Sequence, residues 1–191
     1  MKGAMVTTVG DELETTLAYV RQQRETFRYI AHGLSEEELR LKPTKSDITI
    51  AWLLKHVGNV IRNWTAIIEG ASVEMLDDTV TDEDTVESLL AGQESVAADL
   101  EKAVREKGLD GAVEIPAQIP WPEDGPSSWN VRWVLNHLVQ EFARHAGHGD
   151  IIRESIDGKT MYELQSLAEG WHDKYLAILA QYEAQAEERH K

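Results

Sequence analysis

The segment WNVRWVLNHLVQEFARHAGHGDIIRESIDG, residues 129–158, predicts a long helix that carries several titratable side chains on one face. At about 100° per residue, four of these side chains fall within roughly 80° of one another. They are His137, Glu141, His145 and His148. Apolar residues lie close to the same face, so part of it is expected to point into the protein. A buried carboxylate is costly unless something pairs with it.

Four further segments have helical periodicity with start and stop signals. The predicted helices cover about Asp11–His32, Thr49–Glu69, Asp82–Lys107, Asn130–Ile156, and Thr160 to the charged C-terminal tail. Thr81 is the predicted N-cap of the third helix, and Thr160 with Glu163 is a predicted capping box for the last. Residues 109–129 hold four of the five prolines and predict a long ordered loop, with one short extended piece around residues 112–115.

This order of elements predicts an all-α fold in a single domain, residues 1–191. We expect a four-helix bundle with an additional C-terminal helix and a long proline-rich loop before the helix that carries the histidines. The loop includes Trp121, which we expect to close over one end of the bundle.

Charge and composition restrict the partners. The chain has 19 Lys and Arg against 34 Asp and Glu, a formal charge of −15 that disfavours nucleic acid and anionic membranes. It contains no cysteine, which excludes disulfides and thiolate ligands. No apolar run approaches the length of a membrane span, and no signal sequence is recognisable, so the expected location is the cytoplasm.

A divalent metal ion could be the partner that the titratable side chains on this helix face require. Glu141 and His145 are neighbours at i and i+4, and His56 is the other histidine in the middle of a strongly apolar helix. Asn59 and Asn63 follow on the face of His56 as second-layer candidates. Two histidines and one glutamate with open positions are typical of a catalytic site.

Two structural interpretations compete with a metal site. A histidine on an apolar face is often a hydrogen-bonded core residue, and this interpretation applies most directly to His137. Glu141 could form an ordinary ion pair with Arg144 or another basic side chain. Spacing within the sequence does not decide between these interpretations.

The segments AWLLKHVGNVIRNW, residues 51–64, and residues 129–158 resemble the DinB-like superfamily of metal-binding helical bundles. The similarity is to the actinobacterial branch near the mycothiol-dependent maleylpyruvate isomerases. It extends from the first helix to Gly158. The resemblance implies His56 and an ExxxH pair, Glu141 with His145, as metal ligands. His148 is an additional candidate, and His137 matches a histidine that lies beside the site.

The resemblance also implies an activity. Such relatives use a divalent ion, commonly zinc or nickel, to activate a low-molecular-weight thiol for transfer to an electrophilic small molecule. Arg144 is a candidate contact for an anionic cosubstrate, whereas Arg132 and Arg153 are expected to be surface charges. A metal-dependent hydrolase and a non-enzymatic metal-binding protein are the alternatives. Exposed apolar helix faces are compatible with a homodimer.

Overall fold

The computed structural model describes residue 6 and residues 10–73, 76–117 and 125–189. Within them the chain forms six α-helices, one 3-10 turn and one two-stranded sheet. The helices are α1 Glu12–Ala31, α2 Ile50–Glu69, α3 Val86–Lys107, α4 Val131–Asp157, α5 Met161–Ala168 and α6 His172–Arg189. The 3-10 turn is Glu38–Arg40, and the strands are β1 Ala112–Glu114 and β2 Ser128–Asn130.

Helices α1 to α4 form the predicted bundle. α2 packs along α3, α1 packs along α4, and α2 also contacts α4. Their apolar faces supply most of the core, in which Phe27 of α1 and Phe142 of α4 meet edge to face with ring centroids 6.2 Å apart. The all-α prediction is confirmed. None of the described helices combines the length and the apolar character needed to cross a bilayer.

The predicted start of the third helix is wrong. α3 begins at Val86, after the N-cap Thr85, whose side chain accepts a hydrogen bond from the Ser88 amide. Thr81 instead belongs to a preceding turn, in which its amide donates to the Asp84 carboxylate at 2.7 Å. The two threonines present similar capping signals, and the hydrogen bonds of Asp84 decide between them.

The predicted single C-terminal helix is also wrong, because the chain breaks it into α5 and α6. Gly170 takes a φ of +72° at the break, a conformation that ends a helix and that L side chains rarely adopt. Thr160 is the N-cap of α5, but its side chain forms no cap hydrogen bond. α5 packs on α1, and α6 packs on α5.

The extended piece predicted in the proline-rich segment is confirmed as β1. It pairs antiparallel with β2, with Val113 opposite Trp129, and both of these side chains are buried. β2 leads directly into α4, so the pairing fixes where that helix starts. Trp121, expected to close over the bundle, lies outside the described residues.

Arg153 is a buried residue and not the expected surface charge, with 2% of its area exposed. Its guanidinium donates to the backbone oxygens of Ile30 at 2.6 Å and His32 at 2.8 Å, at the C-terminal end of α1. The Asp157 carboxylate, 2.8 Å away, balances the charge. Arg153 thereby satisfies carbonyls that α1 itself leaves without a donor.

Gly149 allows α4 to approach its neighbours closely. A Cβ atom at this position would lie 2.8 Å from Cδ1 of Ile30 and 3.2 Å from Cδ1 of Leu53. Gly147, two residues earlier, has no such neighbour within 4 Å. A substitution at Gly147 therefore tests helix propensity alone, whereas the same substitution at Gly149 also tests close packing.

We predict opposite effects for two alanine substitutions. Gly147→Ala should stabilise the protein by about 0.5–1 kcal/mol, since alanine favours a helix. Gly149→Ala should destabilise it by about 1 kcal/mol, because overpacking outweighs the same gain. Urea-induced unfolding measures both values. Equal stabilisation by the two variants would contradict the close approach of α4 to α1 and α2.

Candidate metal centre

Three titratable side chains meet between α2 and α4. They are His56 on α2 and Glu141 and His145 on α4, and each offers a ligand atom within 4.8 Å of the other two. His145 Nε2 lies 3.1 Å from Glu141 Oε1, and His56 Nε2 lies 3.5 Å from the same oxygen. The two imidazole rings have centroids 4.7 Å apart. Residues more than 80 positions apart in the sequence thus form one cluster.

The donor set of this cluster fits a divalent transition metal. Two imidazoles and one carboxylate are the ligands that zinc and related ions use, and three protein ligands leave positions open. His56 Nε2 is buried and has no hydrogen-bond partner of proper geometry in the described part of the chain. A buried nitrogen without a hydrogen-bond partner needs an explanation. Its place beside a carboxylate and a second imidazole fits the role of a metal ligand.

Contacts on the other side of His56 hold its ring in place. Nδ1 lies 2.7 Å from Asp78 Oδ2, and the Asn59 side-chain amide donates to Asp78 Oδ1 at 2.8 Å. Trp52, one turn earlier on α2, stacks on the ring with a centroid distance of 4.5 Å and an interplanar angle of 11°. Asn59 therefore does lie behind His56, but it acts through Asp78.

Asp78 is a site residue that the sequence did not identify. It lies in the connection between α2 and α3, within the acidic run DDTVTDED, residues 77–84. Loops carry no periodicity, so nothing marks which acidic side chain turns toward a helix. The available signal was the run of acidic residues itself, which is more often a solvated surface.

Helix capping sets the positions of the aromatic residues on both ligand helices. The Thr49 hydroxyl accepts from the Trp52 amide at 3.1 Å, and the Asn130 side chain accepts from the Trp133 amide at 2.9 Å. Each tryptophan stacks on the histidine four residues later. The two helices thus begin alike, although only the histidine of α2 enters the cluster.

The cluster shifts the pKa values of its members. The His145 imidazole, 3.1 Å from Glu141 Oε1, and the adjacent His56 imidazole together outweigh the effect of burial and hold the pKa of the Glu141 carboxyl far below its ordinary value. Burial lowers the pKa of the His56 imidazole, but the adjacent Glu141 and Asp78 carboxylates prevail and raise it above 6.5. Glu141 is therefore an anion at neutral pH, as a metal ligand must be.

The two remaining histidines of α4 lie outside the group of three. His137 stacks on Trp133 at 5.3 Å and contacts Trp64 at 5.0 Å, both measured between ring centroids. Burial lowers the pKa of His137, which is the behaviour of a neutral core imidazole. His148 is half-buried one turn beyond His145, and its ring nitrogens are not among the clustered atoms.

Among the described residues, the side chains of Asn63 and Arg144 form no hydrogen bond or ion pair with the three candidate ligands. Asn63 is half-buried on α2 and makes no hydrogen bond to His56, Glu141 or His145. Arg144 is exposed, and Glu141 pairs with the two histidines in place of the ordinary ion pair considered from the sequence. The Arg144 guanidinium forms no ion pair with any described carboxylate.

Comparison with known proteins agrees with this fold. The sequence model described as mycothiol-S-transferase matches residues 15–158, which include nearly all of α1 and the whole of α2, α3 and α4. A solved structure, a conserved protein from Enterococcus faecalis, is similar with a TM-score of 0.58 and 13% identity. That match covers 79% of this chain and 100% of the other. At this identity it supports the fold alone. No curated protein matches the chain.

We predict that zinc binding weakens as the pH falls. Protonation of His56 removes the ring lone pair that a metal needs, and its pKa above 6.5 means that this competition begins before pH 6.5 is reached. The zinc affinity should decrease roughly tenfold per pH unit below that pKa. Competition with a chromophoric chelator between pH 8 and pH 5.5 measures it.

The variant His172→Ala serves as a control for this titration. His172 bonds to Ser166 in the C-terminal region and is not among the clustered ligands, so its removal should leave the pH profile unchanged. A zinc affinity that stays constant from pH 8 to pH 5.5 would contradict ligation by these imidazoles.

Proposed function

Because the chain belongs to the mycothiol-S-transferase family, we propose that it is a metal-dependent enzyme that transfers a low-molecular-weight thiol to an electrophilic small molecule. The observation that carries this proposal is the convergence of His56, Glu141 and His145, whose ligand atoms lie within 4.8 Å of one another. Zinc or nickel is the proposed ion, and mycothiol is the first candidate for the thiol.

The chemistry requires a thiolate near neutral pH. When bound, a divalent ion supplies the Lewis acidity that lowers the pKa of a thiol at the site. The chain has no cysteine, so the sulfur nucleophile has to arrive with the cosubstrate. Trp52 covers one face of His56 and keeps water from it, while Glu141 contributes the one negative charge among the three donors.

Arg144 is the proposed contact for an anionic group of the cosubstrate. It is exposed, directly precedes His145, and has no described carboxylate as an ion-pair partner. A guanidinium in this position can pair with a carboxylate or phosphate of an incoming molecule.

The proposal includes a cytoplasmic homodimer without a nucleic-acid partner. The negative charge of −15 argues against binding to nucleic acid. Several apolar side chains are more than half exposed and would favour self-association: Ile151, Tyr162 and Tyr182. Light scattering of the purified protein tests the dimer. Fractionation of cells that express the protein tests the cytoplasmic location. A monomer at all concentrations would contradict the dimer.

We predict that purified protein carries zinc or nickel and conjugates mycothiol to monochlorobimane, a general electrophile. His145→Ala and Glu141→Gln should lose the metal and lower the conjugation rate by at least about 100-fold, because each removes a ligand. His172→Ala is the matched control and should retain both. Metal analysis by mass spectrometry and bimane fluorescence provide the measurements.

Three other results would each overturn this assignment. Thiol-independent hydrolysis of 4-nitrophenyl acetate by the metal-loaded protein would favour a hydrolase that uses water. Collapse of the fold on adding a chelator, with no binding of mycothiol, would favour a structural ion. Wild-type protein without metal, with His145→Ala merely less stable, would favour ordinary core histidines.

We predict that Arg144→Ala raises the KM for mycothiol about tenfold and leaves kcat and metal content unchanged, since it removes a contact made equally in the ground and transition states. Arg144→Lys should restore part of the affinity, because it keeps the charge but not the planar donor pair. Initial rates at varied mycothiol concentration measure both. An unchanged KM in Arg144→Ala would remove this residue from the binding site.

A further inference from the structure

The connection between α2 and α3 places a carboxylate behind one of the three candidate ligands. Asp78 Oδ2 lies 2.7 Å from His56 Nδ1, and Asp78 Oδ1 accepts a hydrogen bond of 2.8 Å from the Asn59 side chain. His56 and Asn59 are three residues apart on α2, so they lie on the same face. One carboxylate thus bridges two consecutive turns of the ligand helix.

This bridge determines which nitrogen of His56 carries the proton. An ionised carboxylate can accept hydrogen bonds but cannot donate them, so the hydrogen between Asp78 and His56 lies on Nδ1. In the neutral ring the other nitrogen, Nε2, then has a free lone pair. Nε2 is the atom that is buried without a hydrogen-bond partner, 3.5 Å from Glu141 Oε1.

The loop that carries Asp78 is itself tied to α2. Lys55 Nζ donates to the Thr79 backbone oxygen at 2.6 Å and pairs with the Asp84 carboxylate at 2.9 Å. The Asn59 amide also reaches the backbone oxygen of Asp77 at 3.3 Å. These contacts hold both ends of the residue 77–84 segment against the helix that bears His56, so Asp78 has little freedom to move away.

We propose that Asp78, held by Asn59, is a positioning residue that fixes His56 in the tautomer with the proton on Nδ1 and presents an unprotonated Nε2 toward Glu141 and His145. Trp52 fixes the plane of the ring by stacking on it, and Asp78 fixes its rotation within that plane. The inference rests on the proposed function for its purpose, since the positioned nitrogen is the one offered to the metal.

The first test measures the tautomer in metal-free protein, independently of activity. At pH 8.5, nitrogen-15 NMR should show His56 with a protonated Nδ1 and an unprotonated Nε2 in the wild type. Asp78→Ala should shift the ring toward a mixture of tautomers. A wild-type spectrum with the proton on Nε2, or a spectrum of Asp78→Ala identical to that of the wild type, would overturn the proposal.

The second test measures zinc affinity by chelator competition at pH 8.5. Asp78→Ala should weaken binding by about 10- to 100-fold, the usual effect of removing such a partner. Asp78→Asn keeps a hydrogen-bond acceptor and should lose less, and it guards against a folding defect in the alanine variant. Asn59→Ala should also reduce the zinc affinity less than Asp78→Ala does, because Asp78 loses its contact with Asn59 but keeps its contact with His56.

Asp77→Ala is the matched control. It removes the same charge from the adjacent position, but the Asp77 carboxylate bonds to the Thr79 amide at 2.8 Å and not to His56. Equal losses of affinity in Asp77→Ala and Asp78→Ala would mean that only loop structure or net charge matters, which would overturn the proposal. Wild-type protein that binds no zinc would contradict the proposed function, while the NMR measurement would still decide the role of Asp78.

Discussion

The contact between α2 and α4 places polar, titratable side chains within a helix interface whose other parts are apolar. A carboxylate and two imidazoles placed between helices lose hydration, and this loss has to be compensated. Glu141 gains partial compensation from the two rings beside it, which hold its pKa low. His56 Nε2 lies near the same carboxylate but gains no hydrogen bond from the described protein atoms. The packing of α2 on α4 therefore holds three polar side chains together although their hydrogen bonding to the described protein atoms is incomplete.

The three candidate ligands are held by different means. Glu141 and His145 are four residues apart on one helix, so helical geometry alone brings their side chains together. His56 comes from another helix and depends on tertiary structure: Asp78 from a loop, Trp52 from the preceding turn, and the packing of α4 on α2. Gly149, one turn beyond His145, allows close approach at that packing. Changes in tertiary structure should therefore displace His56 on α2 more easily than Glu141 and His145 on α4.

The parts of the structure that the sequence could predict are those that depend on local periodicity. The bundle helices, the face of α4 and the 141/145 pair follow from residues within one helix. The place of His56 in the middle of a strongly apolar helix made it a candidate partner for that pair, and the family resemblance supported this choice, since many pairings of helices have the same periodicity. Asp78 could not be chosen among the acidic residues of its loop, because its orientation comes from Lys55 and Asn59. The prediction of Arg153 as a surface charge is wrong because its partners lie at the end of α1, about 120 residues away.

The C-terminal helices lie beyond the part of the chain that the family model matches. α5 packs on α1, where the Tyr29 hydroxyl donates to Glu169 at 2.6 Å, whereas α6 has no buried residue among those described. Evolution can therefore lengthen, recharge or repurpose α6 as an outer appendage without a compensating change in the bundle. Divergence among close homologues should accumulate there first, and a fusion partner or surface tether attached to α6 would leave the interior of the bundle undisturbed.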